Sequence, residues 1–216
     1  MGIPFVRAQD EQKEGGTSRI EAFSDGVFAI AITLLALDLK VPEGLSQINS
    51  QNLLGALLGR WPNYLTFVIS FVTVLIMWIY HHRLFQVVRK PETALLFSNG
   101  LLLMLTTVVP VPTALVAAYL TTPAASVACA TYAGFFSLID LSYDLLWWVI
   151  LRQQPGYRTG GALIPKSMLI SLLGFPCYII ALIVAFWSPA LTLIICCALW
   201  VIWAITARAP SLQAEA

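Results

Sequence analysis

Charge is what this chain has least of. Of its 216 residues, 11% are charged and 59% are apolar, against a charged share of roughly 25% in soluble domains. A soluble domain of this size has more surface than so few charges can cover. In a bilayer the surroundings are themselves apolar, and the shortage disappears. The formal net charge of +1 argues against a nucleic-acid binder, which needs a basic patch. Cysteine is scarce as well. Cys129, Cys177, Cys196 and Cys197 lie inside apolar runs with no C-x-x-C spacing, so they read as small buried or lipid-facing residues, not as a disulfide or zinc framework. No H-E-x-x-H or G-x-S-x-G string occurs and no nucleophile sits beside an evident base, which argues against an intramembrane enzyme. The first 18 residues lack the short apolar stretch of a signal peptide and read as a flexible cytosolic tail.

What the chain does have is long apolar runs. A helix needs about 20 largely apolar residues to cross a bilayer. Six runs approach that length: 20–39, 61–82, 92–119, 124–150, 163–186 and 189–207. A short segment before the second, Leu53 to Arg60, reads as an interfacial turn of helix. Pro110 and Pro112 end or kink the third run, and Ser188-Pro189 separates the last two. The expected architecture is an all-α polytopic membrane protein. Residues 1–18 form an N-terminal tail, 19–208 a six-helix transmembrane domain and 209–216 a C-terminal tail.

Short loops rich in Lys and Arg stay on the cytoplasmic side. Ten of the twelve Lys and Arg fall in the N-terminal tail, the 2–3 and 4–5 loops and the C-terminal end. Lys40 and Arg60 alone lie on the other side. Both termini are therefore expected in the cytoplasm, which requires an even number of spans. Six fits.

Ionisable groups within spans are costly and mark functional candidates. The densest set opens run one: Arg19, Glu21, Ser24 and Asp25. His81 and His82 end run two, Asn99 lies in run three, and Asp140 and Asp144 sit one turn apart in run four. At 100° per residue, Gly26, Ile30, Thr33, Leu34 and Leu37 fall within an arc of about 100°, and Asp25 lies about 140° from Ile30. Run one thus carries an aliphatic stripe with a single hydroxyl, and its carboxylate faces elsewhere. From periodicity alone, the stripe faces lipid and the carboxylate faces the bundle.

The string Arg19-Ile-Glu-Ala-Phe23-Ser24-Asp25-Gly26 resembles the R-x-x-x-F-S-D signature that opens the first helix of the transmembrane protein 175 family of potassium channels. The Trp78-Ile-Tyr-His81-His82-Arg-Leu-Phe85 end of run two and the Asn99 to Pro110-Val-Pro112 stretch of run three are similar to the same family. The six-span layout with both ends inside matches the family's single-repeat, prokaryotic form, which would sit in the cell membrane.

The resemblance implies a homotetramer in the lipid bilayer, with the first helix of each subunit lining a central pore for monovalent cations. It implies no cofactor beyond permeant potassium; separately, His81 and His82 as helical neighbours point about 100° apart with no further ligands nearby, which argues against a metal site. The resemblance also implies that the pore lacks a carbonyl-lined filter, and no T-V-G-Y-G-like string is present. The stripe then becomes the pore lining. Ile30, five residues after the motif Asp, takes the family's constriction position, with Leu34 and Leu37 as further apolar rings and Thr33 as a hydroxyl ring. An aliphatic ring penalises an ion by how tightly it holds its water, which favours potassium over sodium.

On this reading Arg19, Phe23, Ser24, Asp25, His81, His82 and Asn99 are a structural network. A buried Asp25 needs partners, and His81, His82, Ser24 and Asn99 are the candidates. Arg19 lies about 120° from Asp25 on the helix, so it is expected to bond across helices or subunits. Asp140 and Asp144 share a helix face and are expected to pair with Arg or Lys of neighbouring helices, or to relay protons. Trp61, Trp147, Trp148 and Trp187 fit an interfacial aromatic belt. The rival reading is a proton-coupled secondary transporter using Asp25, Asp140 and the histidines, although no inverted repeat is visible.

Overall fold

The computed structural model describes residues 4–40, 49–88, 90–153 and 173–206. Among the described residues every regular element is helical. Helix α1 spans Pro4–Leu35 and tightens into a 3-10 turn at Ala36–Asp38. The short α2 (Ser50–Gly59) is followed by α3 (Trp61–Phe85), α4 (Thr93–Val108), α5 (Pro110–Tyr119) and α6 (Ala125–Arg152). Helices α7 (Gly174–Val184) and α8 (Pro189–Thr206) complete the order.

Each apolar run falls on helix wherever it is described. Run one is the second half of α1, run two is α3, run four is α6 and run six is α8. Run three is α4 and α5, parted at Val109 because Pro110 has no N–H to continue the ladder. Of run five, 163–172 lie outside the described residues and the rest contains α7. Three helical stretches are by themselves long and apolar enough to cross a bilayer: Trp61–Phe85, Thr93–Tyr119 and Ala125–Arg152. The membrane character expected from composition holds.

Two local features depart from expectation. Residues 4–18, read as a flexible tail, continue α1 as helix. Trp147, read as part of an interfacial belt, is fully buried in the bundle, whereas Trp61 and Trp187 are exposed. The segment read as an interfacial turn is α2, started by the Asn49 side chain accepting from the Asn52 N–H at 2.8 Å. Arg60 follows it and donates back to the Lys40 carbonyl.

The core sits on α6. It is buried along most of its length and packs against α4, α5, α7 and α8, while α1 packs on α3 and α4. An aromatic cluster of Tyr132, Phe136, Tyr178 and Trp200 joins α6 to α7 and α8, with Phe136 edge-on to Trp200 at 5.5 Å between centroids. Several polar side chains inside the bundle, which would cost free energy in lipid if left unpaired, bond across helices. Tyr143 donates to the Met77 carbonyl at 2.7 Å, joining α6 to α3, and Ser70 meets Thr113 at 2.7 Å, joining α3 to α5. Thr192 donates to the Ala181 carbonyl at 3.0 Å and clips α8 onto α7. Cys129 and Cys196 are buried, Cys177 and Cys197 are half-buried, and all four are free thiols.

Candidate functional site

The two faces of α1 differ sharply. Ser24, Phe28, Ala31 and Leu35 recur at three- and four-residue spacing and are buried against α3 and α4. The stripe of Gly26, Ile30, Thr33, Leu34 and Leu37 faces away from the protomer, and Ile30 and Leu37 are 58% and 69% exposed. A Cβ added at Gly26 would meet nothing within 4 Å. Thr33 satisfies its own hydroxyl by donating to the Ile30 carbonyl at 2.8 Å. The stripe is therefore a smooth apolar surface, free to meet lipid, a pore or another copy.

Behind it, hydrogen bonds fasten α1 to α3 and α4. His81 Nε2 lies 2.8 Å from Asn99 Oδ1, and Asn99 Nδ2 donates to Ser24 Oγ at 3.0 Å. Ser24 Oγ in turn donates to the Ile20 carbonyl at 2.8 Å. Each link fixes the next: the Ser24 proton is committed to the backbone, so its lone pair faces the amide NH2 of Asn99. The Asn99 oxygen then faces His81, whose Nε2 must carry the proton. Phe28 and Phe85 enclose the imidazole, with ring centroids 5.3 and 4.4 Å from it. His81, Asn99 and Ser24 are each buried. The chain of bonds crosses three helices.

Asp25 belongs to a separate pair. Its Oδ1 accepts from the Trp78 indole Nε1 at 2.7 Å, and its side chain is exposed on the protomer. The expectation that His81, His82, Ser24 or Asn99 holds Asp25 is corrected: its partner is Trp78, and on the single protomer the residue one position beyond Ser24 points out of the interface that buries Ser24. His82 likewise leaves the network that takes His81. It is exposed, stacks on Trp78 at 6.3 Å and lies 3.3 Å from Gln86 Nε2. Adjacent helical residues diverge by about 100°, which accounts for both separations. Arg19 and Phe23 are exposed, and Arg19 makes no ion pair among the described residues.

Sequence reasoning missed Trp78 as the partner of Asp25. Its place one turn before His81 and His82 was the available signal, since an indole N–H has only the donor role. In α6, Asp140 and Asp144 are both buried, and Asp140 Oδ2 has no hydrogen-bond partner. Among the described residues Asp140 makes no pair with Arg or Lys. Among the described residues no group of three His, Cys, Asp or Glu could hold a metal ion.

Known proteins share this fold. A family model described as the endosomal/lysosomal potassium channel TMEM175 matches residues 19–110, from the motif Arg19 to Pro110. A crystal structure of a lysosomal potassium-selective channel TMEM175 homolog from Chamaesiphon minutus superimposes with a TM-score of 0.78 at 41% identity, covering 89% of this chain and 98% of that one. The chain belongs to the TMEM175 family. A potassium channel of Chamaesiphon minutus is 53% identical over 137 residues, which is 63% of this chain and 66% of the relative. A potassium channel of Streptomyces collinus is 46% identical over 137 residues, 63% of this chain and 65% of that protein. The chain thus spans just under two thirds of these curated relatives. The human endosomal/lysosomal proton channel TMEM175 is 42% identical over 88 residues, 38% of this chain and 18% of the human one. The residues matched by the family model, 19–110, contain Ser24, His81 and Asn99.

Proposed function

We propose that this TMEM175-family chain forms a potassium-permeable cation channel in a prokaryotic cell membrane, as a homotetramer of six-span subunits. Both termini lie in the cytoplasm, as the loop charges favour. Four copies of α1 surround the pore, with Ile30, Leu34 and Leu37 as apolar rings and Thr33 as a hydroxyl ring. The observation that carries this reading is the outward aliphatic stripe on a helix whose opposite face is bolted into the subunit core. The names of the bacterial relatives, potassium channels, favour a pore over a transporter.

A narrow apolar ring selects by dehydration. An ion passing Ile30 gives up part of its water and receives no oxygen ligand in return, so the barrier follows hydration strength and is lower for potassium than for sodium. Nothing in this step calls for a cofactor or for enzyme chemistry. Arg19, Phe23 and Asp25, exposed on the single subunit, are then covered at or near subunit contacts. Purified protein in liposomes tests the reading, with potassium, sodium and proton flux measured in parallel because the human relative carries the name proton channel. Potassium flux above sodium flux supports the channel. Saturable, proton-coupled potassium uptake would instead support a carrier.

A further inference from the structure

The outward side of the bundle carries an open groove between α4 and α6. Leu101 and Leu105 form one wall and Leu138, Leu141, Leu145 and Trp148 the other, around a volume of about 650 Å³. That lies within the range of about 300–1,000 Å³ that ligand clefts span. Leu101, Leu138, Leu141 and Leu145 are exposed on the subunit. The Ser142 hydroxyl beside them is buried and donates to the Ile139 carbonyl at 2.6 Å, so it gives the groove no polar contact. From Leu138 to Trp148 the helix rises about 15 Å, half of a hydrocarbon core roughly 30 Å thick. A cation closes the Trp148 end: the Arg152 guanidinium carbon lies 3.3 Å from the centroid of the Trp148 ring. Arg152 is exposed and makes no ion pair among the described residues. Gln153 Oε1 accepts from the Lys90 N–H at 3.4 Å, which brings a second basic residue to that end, with Glu92 the acidic residue close by in the chain.

We propose that this groove holds an anionic phospholipid of the cytoplasmic leaflet, with one acyl chain along Leu138 to Trp148 and the phosphate on Arg152. The leaflet rests on the proposed function above, which places the end of α6 in the cytoplasm. Length and charge together decide the occupant. The apolar wall is as long as one leaflet is deep, and its basic end falls where a head group sits. Stacking on Trp148 fixes the guanidinium plane and leaves its N–H edge open, and that edge matches phosphate oxygens as a bidentate donor. Basic pockets between spanning helices on the cytoplasmic side take anionic head groups in this way. A zwitterionic lipid or a helix of a second subunit fills the apolar part and leaves the excess positive charge unmatched.

Native mass spectrometry of the purified assembly, equilibrated with phosphatidylglycerol and phosphatidylcholine of the same acyl chains, tests the site. The parent is expected to retain phosphatidylglycerol about five-fold over phosphatidylcholine, the size of effect one basic side chain supplies near a membrane surface. Arg152→Gln is expected to lose that preference and Arg152→Lys to keep part of it. Leu141→Trp, which fills the groove from an exposed position, is expected to retain less of both lipids. An unchanged preference in Arg152→Gln, or unchanged retention in Leu141→Trp, overturns the proposal. So does a structure of the assembly in lipid nanodiscs with a neighbouring subunit's helix in the groove. Ion flux is read separately: a protein that conducts potassium without preferring phosphatidylglycerol removes this site alone, and one that prefers it without conducting removes the channel reading alone.

Discussion

The Trp78 indole donates to Asp25 across a 2.7 Å hydrogen bond, and this pair ties the motif carboxylate of α1 to α3 on the outside of the subunit, beside the buried His81–Asn99–Ser24 chain. A charge-assisted bond is stronger than a neutral one, and in lipid the unbonded carboxylate has no water to fall back on. Asp25→Ala is therefore expected to reduce the assembled fraction on size exclusion, with Trp78→Phe producing the same defect and Asp25→Asn a smaller one. A normal assembly with altered ion preference in Asp25→Ala would show that the carboxylate serves conduction instead.

Asn99 uses both ends of its amide, accepting from His81 and donating to Ser24. Asn99→Leu strands a buried imidazole N–H and removes one of the ties between α4 and α1. Its expected cost is about 1–3 kcal/mol, read as a lowered melting temperature in detergent. His82→Ala, which removes an exposed ring, is expected to fall within about 0.5 kcal/mol of the parent.

The two faces of α1 predict opposite phenotypes. Phe28 is 1% exposed, and Phe28→Ala is expected to cost about 3–5 kcal/mol of stability through the cavity it leaves. Leu34 lies on the outward stripe, so Leu34→Ala is expected to leave subunit folding nearly unchanged and to raise conductance. Melting curves beside single-channel currents for the two variants check the contrast.

Gly174→Ala is expected to destabilise the protein by about 1–3 kcal/mol, because its methyl meets the Asp140 carboxylate. Asp140→Ala in the same chain removes the obstacle, so the double variant is expected to recover much of that loss. Equal melting temperatures for Gly174→Ala and the parent would show that α7 can shift away from α6 at little cost.

The helices were legible in the sequence because a bilayer allows few alternatives: apolar length and backbone satisfaction leave helix as the economical choice. Pro110 marked the α4–α5 break for the same backbone reason. The outward stripe followed from 100° periodicity, and the structure leaves Ile30, Thr33, Leu34 and Leu37 outward. Side-chain partners were harder to read. Periodicity gives the direction of Asp25 relative to Ile30, yet it does not tell which residue of α3 arrives opposite, and that residue is Trp78. His81 and His82 looked equivalent as a pair, and only the packing of α3 against α1 and α4 separates the buried ring from the exposed one. Trp147 looked interfacial by position, but it lies on the inward face of α6, whose outward face carries Leu138, Leu141 and Leu145 instead.

The bi-ionic reversal potential of the reconstituted protein, with potassium on one side and sodium on the other, tests the central claim most directly when Ile30→Asn is recorded beside the parent. If α1 lines the pore and Ile30 narrows it, the parent reverses at a potential favouring potassium. The Asn variant, offering oxygen and admitting water at the ring, is expected to reverse closer to zero with a larger sodium current. An unchanged potassium preference in Ile30→Asn would contradict the account and remove the stripe from the ion path.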